Sequence, residues 1–136
     1  MSSLSGIRDG LRTALATISG LRAYDTIPDN PSPPFAVVVP LGITFDEAFA
    51  RGLDTYEMSV LVVVGRVSDR IAQDTLDGYC APSGSGSVKT AIEVDRKLGG
   101  ACSSLRVTSM RNYQSLTIAD ATYLAAEFVV DVKAAP

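Results

Sequence analysis

Residues 43–67 read ITFDEAFARGLDTYEMSVLVVVGRV, and this stretch decides the class of fold. Apolar and polar residues alternate on both sides of Ala50-Arg51-Gly52, a segment that favours a turn, so the pattern predicts a long β-hairpin. Beyond Val60 both faces of the returning strand are apolar, and we expect that part to be central and covered on both sides. The apolar face of the returning strand consists of Tyr56, Met58, Val60, Val62 and Val64.

The outer half of this hairpin is acidic. It contains one basic residue, Arg51, and four acidic residues, Asp46, Glu47, Asp54 and Glu57. A projecting acidic hairpin is not expected in a core, so it is either a solvated edge or a contact surface for a partner. The candidate contact residues are Phe45, Asp46, Glu47, Phe49, Arg51, Asp54, Tyr56 and Glu57.

Helical periodicity predicts three amphipathic helices. The first runs from about Ser3 to Ile18, with its apolar stripe at Leu4, Ile7, Leu11, Leu15 and Ile18. The second is SDRIAQDTLDGYC, capped by Ser68, with Ile71, Leu76 and Tyr79 pointing inward. The third follows a Ser87 cap and ends at Gly99-Gly100. Its predicted apolar face is Val88, Ala91, Ile92 and Leu98, and its predicted solvent face is Lys89, Glu93, Arg96 and Lys97.

Three further segments complete the predicted sheet. LRAYDTI is a short strand candidate, and the proline-rich PDNPSPP after it predicts a stiff, extended connection into FAVVVPLG. SLRVTSMRNYQS and ADATYLAAEFVVDVKA are the last two strands, the second with an apolar face from Leu124 to Val132. The 136 residues therefore predict a single α+β domain, residues 1–136. Its sheet is mixed and mostly antiparallel, contains the long hairpin, and is packed on one face by the N-terminal helix and a helix pair.

Residues 81–90, APSGSGSVKT, resemble a loop that wraps nucleotide phosphates. Such a loop needs glycine directly before its lysine and a preceding buried strand. Here Val88 precedes Lys89, Ser83 occupies the first glycine position, and the preceding residues predict a helix. We therefore interpret the segment as a flexible connector between two helices, with a nucleotide-binding enzyme as the weakest alternative.

The composition argues against most catalytic and ligand-binding chemistry. The chain has no histidine, which excludes Ser-His-Asp and Cys-His sites, and its two cysteines are too few for a zinc site. A net charge of −3 without a basic cluster gives no sign of nucleic-acid binding. We expect no catalytic, cofactor or metal site. Neither a signal peptide nor a membrane span is expected, so we predict folding in a cytoplasm with Cys80 and Cys102 as free thiols.

The order of these segments resembles a known protein family. An N-terminal amphipathic helix leads to the proline-broken segment LRAYDTIPDNPSPPFAVVVP, followed by a long acidic hairpin. Next come two helices joined by a Gly/Ser loop and the closing strand DATYLAAEFVVDV. Over nearly the whole chain, this arrangement is similar to the tail terminator (tail completion) proteins of long-tailed, siphovirus-type bacteriophages.

The resemblance implies a structural virion protein without catalysis or cofactors. It implies a homo-oligomeric ring, usually a hexamer, in the neck region of the virion tail, assembled in the host cytoplasm. Such a ring caps the head-proximal end of the tail tube, stops its polymerisation and presents a surface to the head connector, while DNA passes through without specific binding. Its partners would be copies of itself, the major tail tube protein and head-tail connector proteins. A head-completion or neck protein is the alternative within the virion.

Overall fold

Most of the described chain lies in one mixed sheet with helices on one face, which confirms the predicted α+β class. The computed structural model describes residues 4–18, 20–24, 34–45, 54–66, 70–84, 86–94, 96–100, 102–118 and 121–134. The described helices are α1 (Leu4–Leu15), α2 (Arg70–Tyr79), α3 (Val88–Glu93) and a 3-10 turn at Leu98–Gly100. The described strands are β1 (Arg22–Tyr24), β2 (Phe35–Thr44), β3 (Asp54–Arg66), β4 (Ser104–Ile118) and β5 (Ala121–Ala134).

The strands are ordered β1-β2-β3-β5-β4 across the sheet. Only β1 and β2 run parallel, and every other neighbouring pair is antiparallel. The predicted hairpin is present as β2 and β3, whose pairing extends from Phe35 opposite Val63 to Thr44 opposite Thr55. Its predicted turn at residues 50–52 lies outside the described residues. Strand β3 is in the middle of the sheet, as its two apolar faces predicted.

The main core lies between the sheet and the helices. Helix α1 lies against β1 and β2, α2 against β3 and β5, and α3 against α1 and β4. The predicted inward faces of α1, β3 and β5 are confirmed, because their side chains form one buried cluster. That cluster includes Ile7, Leu11, Leu15, Ile18, Tyr56, Met58, Val60, Val62, Val64, Ala126, Phe128, Val130 and Val132.

A smaller apolar cluster covers part of the opposite face of the sheet. Phe35, Val37, Val63 and Ala125 are buried there, with partly buried side chains around them. The rings of Tyr24 and Phe35 meet edge to face, with centroids 6.0 Å apart. Burial of Val63 confirms that the inner part of β3 is covered on both sides. The rest of this face, hereafter the open face, is mostly polar but includes Val39 and Val129, which lie on either side of Ser59.

Two helix predictions need correction. In α2 the inward residues are Ala72, Leu76 and Tyr79, while Ile71 is 72% exposed, so the predicted inward position of Ile71 is wrong. Helix α3 has the predicted Ser87 cap but ends at Glu93, several residues before the predicted glycine pair. No helix among the described residues is long and apolar enough to cross a bilayer.

Among the described residues, the register of the sheet shifts at four places, one of them in the central strand β3, between Val63 and Gly65. Strand β2 changes register between Pro40 and Gly42, and β4 changes register twice, between Val107 and Ser109 and between Arg111 and Gln114. The second bulge of β4 contains Asn112, whose φ of 56° lies in the left-handed region. Bulges twist an edge strand and leave it a poor template for a further strand.

Candidate functional site

The structure describes four of the eight residues predicted to contact a partner. Phe45 is 66% exposed and Glu57 is also exposed, as a contact surface requires. Asp54 and Tyr56 are buried, so their side chains are not presented at the surface of the single chain. The remaining predicted contacts, Asp46, Glu47, Phe49 and Arg51, lie outside the described residues.

The burial of Tyr56 and Asp54 follows from strand pairing. Tyr56 lies opposite Ile43 and Val132, and its ring joins the core beneath the helices. Asp54 pairs with Ala134, the last described residue of β5. Because β5 continues to the outer end of β3, this part of the hairpin is covered by a neighbouring strand, which the sequence pattern did not indicate.

The outer half of β2 carries the exposed apolar side chains of the hairpin. Val39 is 37% exposed and Leu41 is 43% exposed, and Phe45 follows at the end of the strand. Among the described strands, β1 pairs only with Phe35–Val37, so residues 38–44 have no described neighbour on that side. We call residues 38–45 the β2 edge. Among the described residues it combines strand backbone that has no described neighbour on one side with accessible apolar side chains.

A charged cluster, which sequence reasoning did not single out, lies in the middle of the open face. The Glu127 carboxylate accepts hydrogen bonds from Ser59 Oγ (2.6 Å), Arg111 Nε (2.6 Å) and Asn112 Nδ2 (3.1 Å). The bonds from Ser59 and Arg111 hold the pKa of Glu127 below its usual value. This cluster links three strands through one carboxylate. In the sequence, the only indication of this cluster was that the charged residue Glu127 alternates with the apolar residues Ala125 and Val129.

A second polar group lies toward the outer end of the same face. Lys133 Nζ donates a hydrogen bond to Thr55 Oγ1 (2.7 Å) and lies 3.7 Å from an Asp131 carboxylate oxygen. A shallow groove of about 360 Å³ adjoins it, lined in part by Gly42, Thr44 and Glu57. The open face therefore carries balanced charges of both signs, a surface suited to polar contacts.

The glycine-serine loop has a structural role in helix α3. Ser87 Oγ accepts a hydrogen bond from the Thr90 backbone N–H (3.1 Å) and donates one to the Ala81 carbonyl (2.6 Å). The Lys89 ammonium forms an ion pair with the Glu93 carboxylate one turn later. The loop follows helix α2, as predicted, whereas a phosphate-wrapping loop follows a strand. The side chains of Ser87 and Lys89 therefore both bind other groups of the same chain.

Glu93 differs from its predicted place on the solvent face. Its side chain is only 9% exposed and also pairs with Arg96 at 3.4 Å. One carboxylate oxygen accepts the backbone N–H of Val107 on β4 at 2.9 Å. Glu93 therefore connects α3 to the edge of the sheet. The Glu93 carboxylate thus forms ion pairs with both Lys89 and Arg96.

The two cysteines are free thiols in the structure, as predicted. Cys102 is buried, and its Sγ lies 3.4 Å from the Arg96 carbonyl oxygen. Burial, together with the nearby Asp77 carboxylate, raises the pKa of Cys80 to about 11. A thiol with such a pKa has little thiolate at neutral pH and is a weak nucleophile.

Within the described part of the chain, no group of three or more Cys, Asp or Glu side chains could hold a metal ion. A groove of about 640 Å³ lies between α1 and α3 and is mostly apolar, with Gly10, Ala14, Ala91 and Leu98 among its lining residues. No protein-family model matches the chain, and no curated protein is detectably similar to it in sequence.

Proposed function

We propose that the chain is a structural subunit of the tail of a long-tailed bacteriophage. In this proposal a homo-oligomeric ring, a hexamer, caps the head-proximal end of the tail tube. The ring ends tube polymerisation and offers the surface to which the head connector joins. The order of elements along the sequence, from the N-terminal helix to the closing strand, suggests this family.

The observation that carries the proposal is the β2 edge. An exposed strand edge can pair with another chain, and the bulge between Pro40 and Gly42, with the missing N–H of Pro40, restricts such pairing to the outer part of the β2 edge, residues 42–45. Here Val39, Leu41 and Phe45 place apolar surface beside it. Accessible apolar side chains along a strand edge favour association with a protein partner over solvation. The β2 edge therefore supports a subunit that works by joining other subunits.

The charge of the chain is compatible with a ring through which DNA passes. The net charge is −3, and several of the described arginines and lysines are already paired with carboxylates, among them Lys89, Arg111 and Lys133. Nonspecific DNA binding depends on cations that neutralise phosphates. A subunit with this balance does not hold DNA tightly, so a genome can move past it.

The proposal is tested with the purified full chain and the tail-tube subunit of the same virion. Native mass measurement is expected to give a hexamer, and negative-stain images are expected to show rings at one end of each tube. Tubes polymerised with the chain should be limited in length, whereas tubes without it continue to grow. Binding to portal-side rings with no effect on tube length would contradict the proposal and favour a head-completion role.

A charge-reversal variant locates the tube contact. Asp46→Lys with Glu47→Lys is expected to abolish capping while the circular dichroism spectrum and the unfolding midpoint stay unchanged. Asp54 is left intact, because it is buried. The matched control reverses Asp9 and Asp74, two exposed carboxylates on α1 and α2, and should cap normally. Tubes of normal length with the first variant would show that the acidic hairpin does not contact the tube.

A further inference from the structure

One level of the sheet carries a row of charges on the open face, from one edge of the sheet to the other. Gly42 on β2 lies opposite Glu57 on β3, and Glu57 lies opposite Asp131 on β5. Asp131 in turn lies opposite Arg106 on β4. From β2 to β4 the row is therefore a glycine, two carboxylates and one guanidinium. We call these four residues the charge row. Its two carboxylates repel, because they lie directly opposite each other on neighbouring strands.

The two outer charges of the row are not paired within the described part of the chain. Glu57 and Arg106 are exposed, and neither side chain forms an ion pair or a hydrogen bond with another described residue. Arg111 on β4 attracts Glu57 over a distance, but its guanidinium is bonded to Glu127. The row therefore has room for one more cation beside Glu57 and one more anion beside Arg106.

Gly42 leaves the side of Glu57 that faces the β2 edge open. Apart from the chain neighbours of Gly42, a Cβ atom at this position would meet no atom within 4 Å. The groove of about 360 Å³ described above lies here, with Gly42, Glu57 and Asp131 among its lining residues. Within strands, glycine marks bulges and places where another chain approaches closely. A long side chain that enters from the β2 edge can therefore lie over Gly42 and reach the Glu57 carboxylate.

Both edges of the sheet keep a regular register at this level. The bulge of β2 ends at Gly42, and the first bulge of β4 begins after Val107. Residues 42–44 and 104–106 therefore lie in regular strand at the same end of the sheet, and among the described strands neither segment has a neighbour on its outer side. Glu93 accepts the N–H of Val107, so it closes the β4 edge beyond this segment.

The strand directions allow two copies to join in the same orientation. Strand β4 runs antiparallel to β5, β5 to β3, and β3 to β2, so β4 is also antiparallel to β2. A second copy placed beside the first brings two antiparallel edges together and keeps both open faces on one side. With the charge rows aligned, Arg106 lies opposite Gly42 of the neighbour. Glu57 of the neighbour is then two strand spacings, about 10 Å, from the Arg106 backbone, which the two side chains can span together.

We propose that residues 104–106 of one copy pair with residues 42–44 of a neighbouring copy, and that Arg106 crosses Gly42 of the neighbour to bind its Glu57. A second copy is the partner that fits, because this chain carries both halves of the contact. Repetition of the head-to-tail contact continues the charge row from subunit to subunit and closes a ring. The contact rests on the proposed ring, and it names the surfaces that join the subunits.

A mixing experiment tests whether the ion pair joins two copies. In the full chain, Arg106→Glu and Glu57→Arg each place like charges at every contact, so each variant alone is expected to need at least tenfold more protein to assemble. An equimolar mixture is expected to assemble at wild-type concentrations, because contacts between unlike subunits again join opposite charges. A pair within one chain would not be restored by mixing. Sedimentation velocity and native mass measure assembly, and the unfolding midpoint of each variant checks its folding.

A second variant tests the open space above the charge row without a change of charge. Gly42→Gln places a side chain where the single chain has no neighbouring atoms, so the unfolding midpoint should stay unchanged. The new side chain occupies the path of Arg106, and the concentration needed for assembly is expected to rise at least tenfold. Gly78→Gln on α2 is the matched control, because a Cβ atom there also meets no atom within 4 Å. Unchanged assembly of the Gly42 variant would overturn the proposal.

The outcomes separate this contact from the proposed function. Rings that cap tubes and whose assembly is insensitive to both charge reversals would overturn the contact and leave the proposed function intact. Variants that assemble only when mixed, in a protein whose rings do not limit tube length, would support the contact and contradict tube capping. Single variants that do not assemble even when mixed would overturn the contact. A wild-type chain that stays monomeric by native mass would contradict both.

Discussion

Glu93 shows how one side chain can connect two elements. Its carboxylate pairs with Lys89 and Arg96 on the α3 side and accepts the Val107 N–H on the β4 side. Burial alone would raise the pKa of Glu93. The hydrogen bonds from Lys89 and Val107 and the two nearby cations outweigh that effect, so the pKa is lowered. The folded chain therefore stabilises the charged form of Glu93.

We predict that Glu93→Gln destabilises the fold at neutral pH by about 1–3 kcal/mol, because hydrogen bonds to a charged group are lost. A carboxyl group with a lowered folded-state pKa contributes stability above its unfolded pKa, about 4.3, and loses that contribution as the pH falls through the folded value. The difference between wild type and variant should therefore shrink in acid. Urea unfolding at pH 7 and at about pH 3 measures it.

The control for this prediction is Asp74→Asn, an exposed carboxylate on α2. Its unfolding free energy should follow that of the wild type at both pH values. Curves for Glu93→Gln that run parallel to the wild type down to about pH 3 would show that Glu93 does not link stability to pH.

At the scale of elements, the contact with β3 determines which face of α2 is buried. Gly65 allows close approach there, since a Cβ at this position would lie 3.3 Å from Ala72 Cβ. The inward stripe is Ala72, Leu76 and Tyr79, at helical spacing. The larger Ile71 suggested a different phase, but the small Ala72 is the residue that fits against the sheet.

We predict very different sensitivities for an exposed and a buried position of α2. Ile71→Lys should change the free energy of unfolding by no more than about 0.5 kcal/mol, because the side chain is mostly in solvent. Leu76→Ala should cost about 2–5 kcal/mol, because it opens a cavity under a fully buried side chain. Chemical denaturation of both variants gives the comparison. Similar losses at the two positions would contradict the observed phase of α2.

Sequence patterns predicted the elements in which many residues share one buried face. The apolar stripe from Leu4 to Ile18 and the alternation from Leu124 to Val132 each allow only one face to be buried. The structure confirms both predictions. Short helices have too few turns for a sequence pattern to determine which face is buried or where the helix ends. This explains why Ile71 was assigned to the buried face of α2 and why α3 ends earlier than predicted. The burial of Asp54 and the bonds of Glu127 depend on which strands become neighbours. That choice is made by tertiary contacts that local periodicity does not contain.

At the scale of the whole molecule, the two edges of the sheet differ. The β2 edge has one bulge and exposed apolar side chains and leads into an acidic segment, whereas β4 has two bulges and carries the exposed Arg106 and Arg111. Two unlike edges favour a head-to-tail contact over a symmetric pair. The proposed ring would be closed by repetition of such a head-to-tail contact.

We predict that the assembled protein does not bind duplex DNA at about 150 mM salt. The net charge is −3, and counterion release from phosphates requires clusters of accessible cations. Fluorescence anisotropy with a labelled duplex should show no change at micromolar protein. Replacing Glu127 by Gln, which frees Arg111 from its ion pair, should at most produce weak binding at low salt. Tight, salt-resistant binding by the native chain would contradict the proposed ring through which DNA passes without specific binding.

The central position of β3 in the sheet has a consequence for aggregation of the unfolded protein. Its run Val60–Val64 is uncharged, free of proline and rich in β-branched side chains, the composition of amyloid-forming segments. In the native sheet β2 and β5 occupy both of its hydrogen-bonding sides, so other chains have no access to it. Global unfolding removes that protection at once. Thermal denaturation is therefore expected to end in an insoluble precipitate, and the shelf life of the protein depends on its unfolding rate more than on its equilibrium stability.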